Sequence, residues 1–259
     1  MTERGLGHVP DLPDARDELH GFDRLNLARV VLPSLIGSML DHYQEQDQQR
    51  TNTCTGQGAR QALRIYQIAN FGRVEIDPSA LAAYKLGQAF HPGLIGTDSG
   101  GHIRSVFRSF KEYGIVSNEA FPWNQSFAKA GKPGKLALAS AYKSRQGRYR
   151  RHFSSGDRLL DDLQLSLLNL RPFEYGLPVF RPFLDSRGPD HILAPVAGDE
   201  PVGWHAMCAY ASKRDSDGLW FRTGNSWGDW RDGGSAWIHS SYMLLAVDKW
   251  SIELVENAP

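Results

Sequence analysis

The chain has 259 residues, a length for one large domain or for two lobes on a shared core. Hydrophobic residues make up 41% and charged residues 22%, which excludes a disordered tail, and 29 basic against 29 acidic side chains excludes a whole-protein field for nucleic acid. The only two cysteines, Cys54 and Cys208, exclude a disulfide scaffold and an all-cysteine zinc site, and they suit a reducing compartment.

The opening residues, MTERGLGHVPDLPDARDELH, are polar and mixed in charge, unlike the apolar stretch of a secretory signal. No run reaches the ~18 apolar residues of a membrane span. The most apolar stretch, LARVVLPSLIGSML, is interrupted by Arg29 and Pro33. The expectation is a soluble cytoplasmic protein with no membrane partner, export without a cleaved signal aside. Up to residue 50, Pro10, Pro13 and Pro33 predict irregular chain.

Residues 54–70 read as a helix, because Ala59, Ala62, Leu63 and Tyr66 recur at three- and four-residue steps. Thr51, Asn52 and Thr53 ahead of it are cap-type residues. A second helix is expected to start near Asp77-Pro78, with the proline in its first turn. A third spans about 101–113, with Ile103, Phe107 and Phe110 on one face, and a fourth carries Leu159, Leu160, Leu163 and Leu167. From Gly176 onward come short strand-like runs: GLPVFRPF, WHAMCAYA, GLWFRTGN and GGSAWIHS. Helices first and strands second predict an α+β protein. Its helical lobe covers about 30–125 and its β-rich lobe about 126–259, with residues 1–29 packing across both. A cleft between such lobes is the expected place for a site.

Four residues carry the candidate chemistry. Cys54 falls at a helix start, where the dipole and free N–H groups favour a thiolate, although a small buried hydrophobe is the commoner fate of a cysteine. His205 opens an apolar strand and could pair with that thiolate, or be an ordinary hydrogen-bonded strand residue. Asn225, in GNSWGDW, could orient the imidazole, with Trp227 covering the contact; turn chemistry accounts for the same residues. Gln48 could donate to an oxyanion together with the Cys54 backbone N–H, although Gln44, Gln46 and Gln49 crowd the same polar loop.

Taken in order, these features resemble the papain-like cysteine peptidases over nearly the whole chain, most closely the bacterial branch without a disulfide framework. VPDLPDARD looks like that branch's amino-terminal segment, and DQ followed by TCT like its nucleophile region. DSGGHIRSVFRSFKEYGIVSNEAFPW, DLQLSLLNLRPFEYGLPVFRPF and NSWGDWRDGGSAWI resemble later stretches, the last being the most specific. The resemblance implies a helical lobe and an antiparallel β-barrel-like lobe forming one catalytic domain, with the site in the cleft. It implies Cys54 as nucleophile, His205 as general acid/base, Asn225 as orienter and Gln48 as oxyanion donor. Gly100 and Gly101 would form the wall that hydrogen-bonds an extended peptide, and Trp227 would shield the Asn225–His205 contact. There are departures from the family pattern: Gln49 stands where glycine is frequent, Thr55 where an aromatic residue is, and GQG follows. Trp230-Arg231 replaces a second Trp-Gly one residue later.

The implied activity is peptide-bond hydrolysis through a thioester, as a cysteine endopeptidase. The altered GQG segment motivates a transamidase or deamidase on the same site, and an inactive peptide-binding module is a third reading. The partners are a peptide or protein substrate and a protein inhibitor or regulator; no cofactor, metal, nucleic acid or membrane is expected. No long charged helical segment precedes the nucleophile region, so restraint would come from another protein or from the first ~20 residues acting as a lid. The basic run KSRQGRYRRHF at 143–153 reads as a solvated surface, and GKPGK at 131–135 lacks the features of a phosphate loop. His152, His191 and His239 show no metal-ligand spacing. Cys208 reads as core and inert, on the strand face opposite His205.

Overall fold

The computed structural model describes residues 4–20, 31–132, 141–142, 145–185, 187–196 and 198–256. Most of GKPGK and the first two residues of the basic run lie outside them. The central element is helix α1, Cys54–Phe71, whose small and straight-chain residues suit a helix interior. It ends at Gly72, which takes a left-handed conformation with φ 71° and donates its N–H to Ile68 O. Helix α2, Ala80–Gln88, begins later than the expected Asp77-Pro78 start. The reason is Ser79, whose hydroxyl oxygen accepts the Ala82 N–H at 3.0 Å and caps the helix. Pro78 stays outside and bridges to Ser117. Helix α3, Ile103–Tyr113, buries Ile103, Val106, Phe107 and Phe110 and stops at Gly114. A short α4 follows at Gln125–Ala130.

Gly56 explains how α1 and α2 sit together. A Cβ there would fall 2.2 Å from Ala80 O, so the two helices touch backbone to backbone. The cost of glycine in the helix, up to ~1 kcal/mol against alanine, is offset by that approach.

Among the described residues, nine strands form one sheet. They are β1 (Leu19–His20), β2 (Leu35–Ile36), β5 (Arg145–His152), β6 (Phe173–Val179), β7 (His191–Ile192), β8 (Gly203–Asp215), β9 (Gly218–Gly224), β10 (Ser235–His239) and β11 (Val247–Glu256). The order is β1-β5-β11-β6-β8-β9-β10-β7, with β2 on β8. Pairing is antiparallel except for β1 with β5 and β10 with β7. A separate pair joins β3 (Ile115–Val116) to β4 (Ala141–Tyr142). Helix α5, Gly156–Leu168, packs its leucines on the sheet, and α6 is the short Ser240–Met243.

Strand β5 corrects the surface reading of the basic run. Alternation puts Tyr149 against Trp250, ring centroids 5.6 Å apart, while Arg148 and Arg150 on the other face reach Glu253. The arginines hid a strand whose other face carries Tyr149 and Arg151, both packed on Trp250. Likewise β6 begins three residues before the expected GLPVFRPF run and ends before Arg181. One apolar cluster runs from Ala59, Leu63 and Phe107 in the helices to Phe173, Trp227 and Trp250 in the sheet lobe. Truncating a buried aromatic such as Phe173 to alanine costs about 3–5 kcal/mol. The shared core holds the start of α1 against the start of β8.

Candidate active site

Helix α1 begins at Cys54, so the thiol lies in the first helical turn. Facing it is β8, which carries His205 opposite Leu177 of β6. The loop after β9 supplies Asn225. The His205 Nε2–H donates to Asn225 Oδ1 at 2.7 Å, which leaves Nδ1 as the lone-pair nitrogen. His205 Nδ1 is buried and has no hydrogen-bond partner among the described residues. Asn225 is held in turn: its Oδ1 accepts the Ser226 N–H at 2.7 Å and its N–H donates to Gly234 O at 2.8 Å.

Trp227 covers this contact. Its ring lies 4.4 Å from the His205 ring, tilted by 32°, and is 1% exposed. Phe183 and Trp230 back it edge-on at 5.9 and 6.0 Å. Excluding water there strengthens the imidazole–amide hydrogen bond. Gln48 is tied to the same loop from the helical side. Its N–H donates to Ser226 O at 2.8 Å, and its Oε1 accepts the Ser226 hydroxyl at 2.6 Å. Gln48 Nε2 is therefore free to point toward the nucleophile loop, where it donates to Thr51 O and to Gly5 O, the latter at 3.1 Å.

Cys54 is fully buried. Burial pushes its thiol up to about 12, a rise the Glu174 carboxyl adds to and the backbone groups of Ala206, Gly7 and Thr55 partly oppose. Burial also pulls the His205 imidazole down to about 4, against the Asn225 hydrogen bond. Among the described residues no group of three or more His, Cys, Asp or Glu side chains could hold a metal.

No family model matches the sequence, and no curated protein matches it by sequence. Solved structures do match. Xylellain, a cysteine protease from Xylella fastidiosa, aligns over 98% of this chain and 97% of its own, at 25% identity and a TM-score of 0.82. By fold the chain is papain-like, similar to these cysteine proteases. Procathepsin B S9 from Trypanosoma congolense aligns over 98% of this chain and 87% of its own, at 13% identity and TM-score 0.74. The bromelain protease of Ananas comosus, solved with the E64 inhibitor, aligns over 86% of this chain and all of its own, at 17% and 0.65.

In this papain-like peptidase the cleft is filled by the chain's own residues 4–12. Arg4 donates to Trp227 O at 3.1 Å, with its guanidinium 5.9 Å from that ring. Gly5 offers its carbonyl to Gln48, and Leu6 packs on Gly203. Gly101 N–H donates to Gly7 O at 2.8 Å, and Val9 N–H donates to Gly101 O at 2.9 Å. His8 thus pairs with Gly101 as a parallel bridge, and its N–H also donates to Trp204 O at 3.3 Å. The segment fits by lacking side chains: a Cβ on Gly7 would lie 2.0 Å from Asn52 O.

Gly100 and Gly101 behave differently. Gly101 pairs with the strap, while Gly100, at φ 92°, donates its N–H to Tyr84 OH at 3.2 Å and gives its carbonyl to Gln88. Gly100 also lies against the strap, since a Cβ there would fall 2.2 Å from Gly7 O. Asp98 joins that wall to the nucleophile loop, accepting the Asn52 N–H at 3.0 Å and the Tyr84 hydroxyl at 3.3 Å. Sequence reasoning passed over Gly5, Gly7, His8, Asp98 and Asp248. The Gly-Leu-Gly run among charged residues was the one signal that a narrow space was being threaded. Cys208 is buried in β8, as expected of a core thiol.

Proposed function

We propose that the protein hydrolyses peptide bonds with Cys54 as nucleophile, His205 as general acid/base, Asn225 as the orienting residue and Gln48 as an oxyanion donor. The observation that carries this reading is the 2.7 Å His205–Asn225 hydrogen bond under Trp227, which leaves the buried His205 Nδ1 without a partner among the described residues, while the Cys54 thiol at the helix start meets the backbone of Ala206, the next residue of β8. In the ion-paired form the Cys54 thiolate attacks the substrate carbonyl carbon and forms a carbon–sulfur bond. Negative charge develops on the carbonyl oxygen, and the Gln48 amide N–H is the donor for it. The His205 imidazolium then protonates the departing amine as the carbon–nitrogen bond breaks, leaving a thioester. His205 next takes a proton from water, the hydroxyl displaces the sulfur, and the carboxylate product departs.

The sequence motive for a transamidase was the altered GQG segment. Gly56 makes room for Ala80, and Gly58 makes room for Glu174, whose Oε1 would lie 2.6 Å from a Cβ there. Both glycines answer to packing beneath the site, which favours hydrolysis. The strap occupies the Gln48 amide and the Gly101 wall at once, so the covered chain is a resting form. The test is intact mass after near-stoichiometric treatment with a peptide-like epoxide, with Cys54→Ala as control. A single adduct that is lost in the mutant supports the reading. Peptide hydrolysis that survives in Cys54→Ala sinks it.

A further inference from the structure

The chain between β6 and β8 borders a cavity of about 300 Å³ that the peptidase reading does not use. None of Cys54, His205, Asn225 and Gln48 lines it. One wall is Phe183, which packs on Trp227 and Trp230 from behind the candidate site. Ile192, Leu193, Val196 and Tyr242 make most of the remainder. Leu193 is 63% exposed and Val196 74% exposed, so the mouth of the cavity is apolar as well. The size lies at the lower end of small-molecule sites, which run from roughly 300 to 1,000 Å³.

Arg231 is the cation of this cavity. It stands where a Trp-Gly pair would put glycine, and it takes φ 58°, a left-handed conformation that glycine adopts freely and arginine rarely. Strain of this kind collects at functional positions. The guanidinium lies 5.4 Å from the Trp230 ring centre, where Nη1 donates to Pro189 O at 2.8 Å and Nη2 to Pro182 O at 2.9 Å. Each of those nitrogens carries a second hydrogen, so the fork keeps two further donors. Among the described residues no carboxylate stands within ion-pair distance of it. Burial pulls the guanidinium below its ordinary value, and only the more distant Asp185 opposes this. A half-buried cation held by carbonyls alone is an expensive arrangement, and a bound anion relieves it.

The other polar groups at the cavity are already engaged. Asp199 Oδ2 accepts the Val196 N–H at 3.2 Å. His191 Nδ1 meets Asp190 at 2.9 Å, and its Nε2 accepts from Lys213 at 2.8 Å. Pro182, Pro189 and Pro195 line the space and have no N–H to offer. A phosphate or an extended peptide backbone would need more donors than this wall supplies. One guanidinium fork beside an apolar wall suits one carboxylate on an apolar body.

We propose that this cavity is a binding site for a small monocarboxylate with an unbranched apolar chain, its carboxylate on the Arg231 fork and its chain over Ile192, Leu193 and Val196. The site is separate from the cleft and does not depend on the peptidase reading.

Isothermal titration of the full chain with octanoate, and with octanol as the uncharged counterpart, tests it. Octanoate is expected to saturate one site and to bind about tenfold more tightly than octanol, the gain of a charge-assisted hydrogen bond. Arg231→Gln is expected to close that gap, and Arg231→Lys, which keeps the charge, to retain part of it. Because Arg231 also ties Pro182 to Pro189, a second variant leaves it in place. Leu193→Asp changes a side chain that is 63% exposed, so the fold tolerates it, and it sets a negative charge at the mouth. It is expected to weaken octanoate more than octanol. No saturable binding, equal affinity for the two probes, a gap that survives in Arg231→Gln, or octanoate binding unmoved by Leu193→Asp overturns the proposal.

Discussion

The candidate site and the strap's anchor differ in what surrounds their polar groups. In the cluster, His205 Nδ1, Asn225 Nδ2 and Trp227 Nε1 are buried without hydrogen-bond partners among the described residues. In the anchor, Asp11 accepts from Trp250 Nε1 at 2.9 Å and from Arg104 N at 3.3 Å. Arg104 and Arg151 flank the Trp250 ring at 5.7 and 5.6 Å, and both pair with Asp17, at 3.0 and 3.2 Å. Buried groups without hydrogen-bond partners cost stability, and His8 Nδ1 and Nε2 in the strap share that state with the site. Spent groups hold a segment still, and here they secure the strap just beyond the cleft. The two regions also titrate in opposite directions. Burial, with the Asp248 charge, raises the Asp11 carboxyl to about 7, whereas burial lowers His205 to about 4.

The largest expected effect tests the cluster. Cys54→Ala or His205→Ala should each cut peptide hydrolysis by about 10³-fold or more, since both are members of one reacting unit. Progress curves against the parent chain decide this, and a loss under tenfold contradicts the division of roles. Asn225→Ala should be milder, at about 10²-fold in kcat with KM little changed, because it orients a group that stays in place.

The strap comes next. Gly7→Val puts atoms where Asn52 O stands, and overpacking of that kind costs roughly 1–3 kcal/mol. The strap should loosen, and alkylation of Cys54 by a small neutral reagent should speed up about 10- to 100-fold. An unchanged rate would mean that the strap does not restrain the site.

The pH dependence sharpens the contrast. The raised Asp11 carboxyl stabilises the docked strap below its unfolded value of 3.8, and this contribution is lost as pH rises through about 7. The depressed His205 contributes stability above 6.5 that is lost as pH falls through about 4. Cys54 alkylation should therefore rise more steeply between pH 6 and 8 in the parent than in Asp11→Asn, which keeps the amide neutral throughout. Equal slopes would remove Asp11 from the anchor's pH response. The smallest effect is a control: the exposed Arg108–Glu112 pair at 3.1 Å should contribute only about 0.3–0.5 kcal/mol when broken, read by denaturant midpoint.

The chemistry was legible in the sequence because each residue sits in a local setting that limits its role. Cys54 follows three cap-type residues and opens an apolar period of 3.6. Asn225 sits in a glycine-flanked turn between two strand-like runs. The α+β class followed from helical periodicity early in the chain and strand-like runs late in it. Local patterns of this sort depend on a few neighbouring residues, so one chain suffices to read them. Strand β5 was hidden for the same reason: arginines stand on both of its faces, and Tyr149 alone shows no apolar alternation.

What residues 4–12 do could not be read locally. Gly5, Gly7 and His8 resemble any polar terminal segment until Thr51, Asn52, Gly101 and Gly176 are brought against them from three distant stretches. Asp248 looks like a surface carboxylate next to a lysine until a one-residue bulge turns it inward. The sequence by itself determined the α+β class and named the candidate residues, since these follow from short-range periodicity and residue chemistry. Only the tertiary structure decided that residues 4–12 lie across the candidate site, because that depends on which distant backbone fills the same few cubic ångströms.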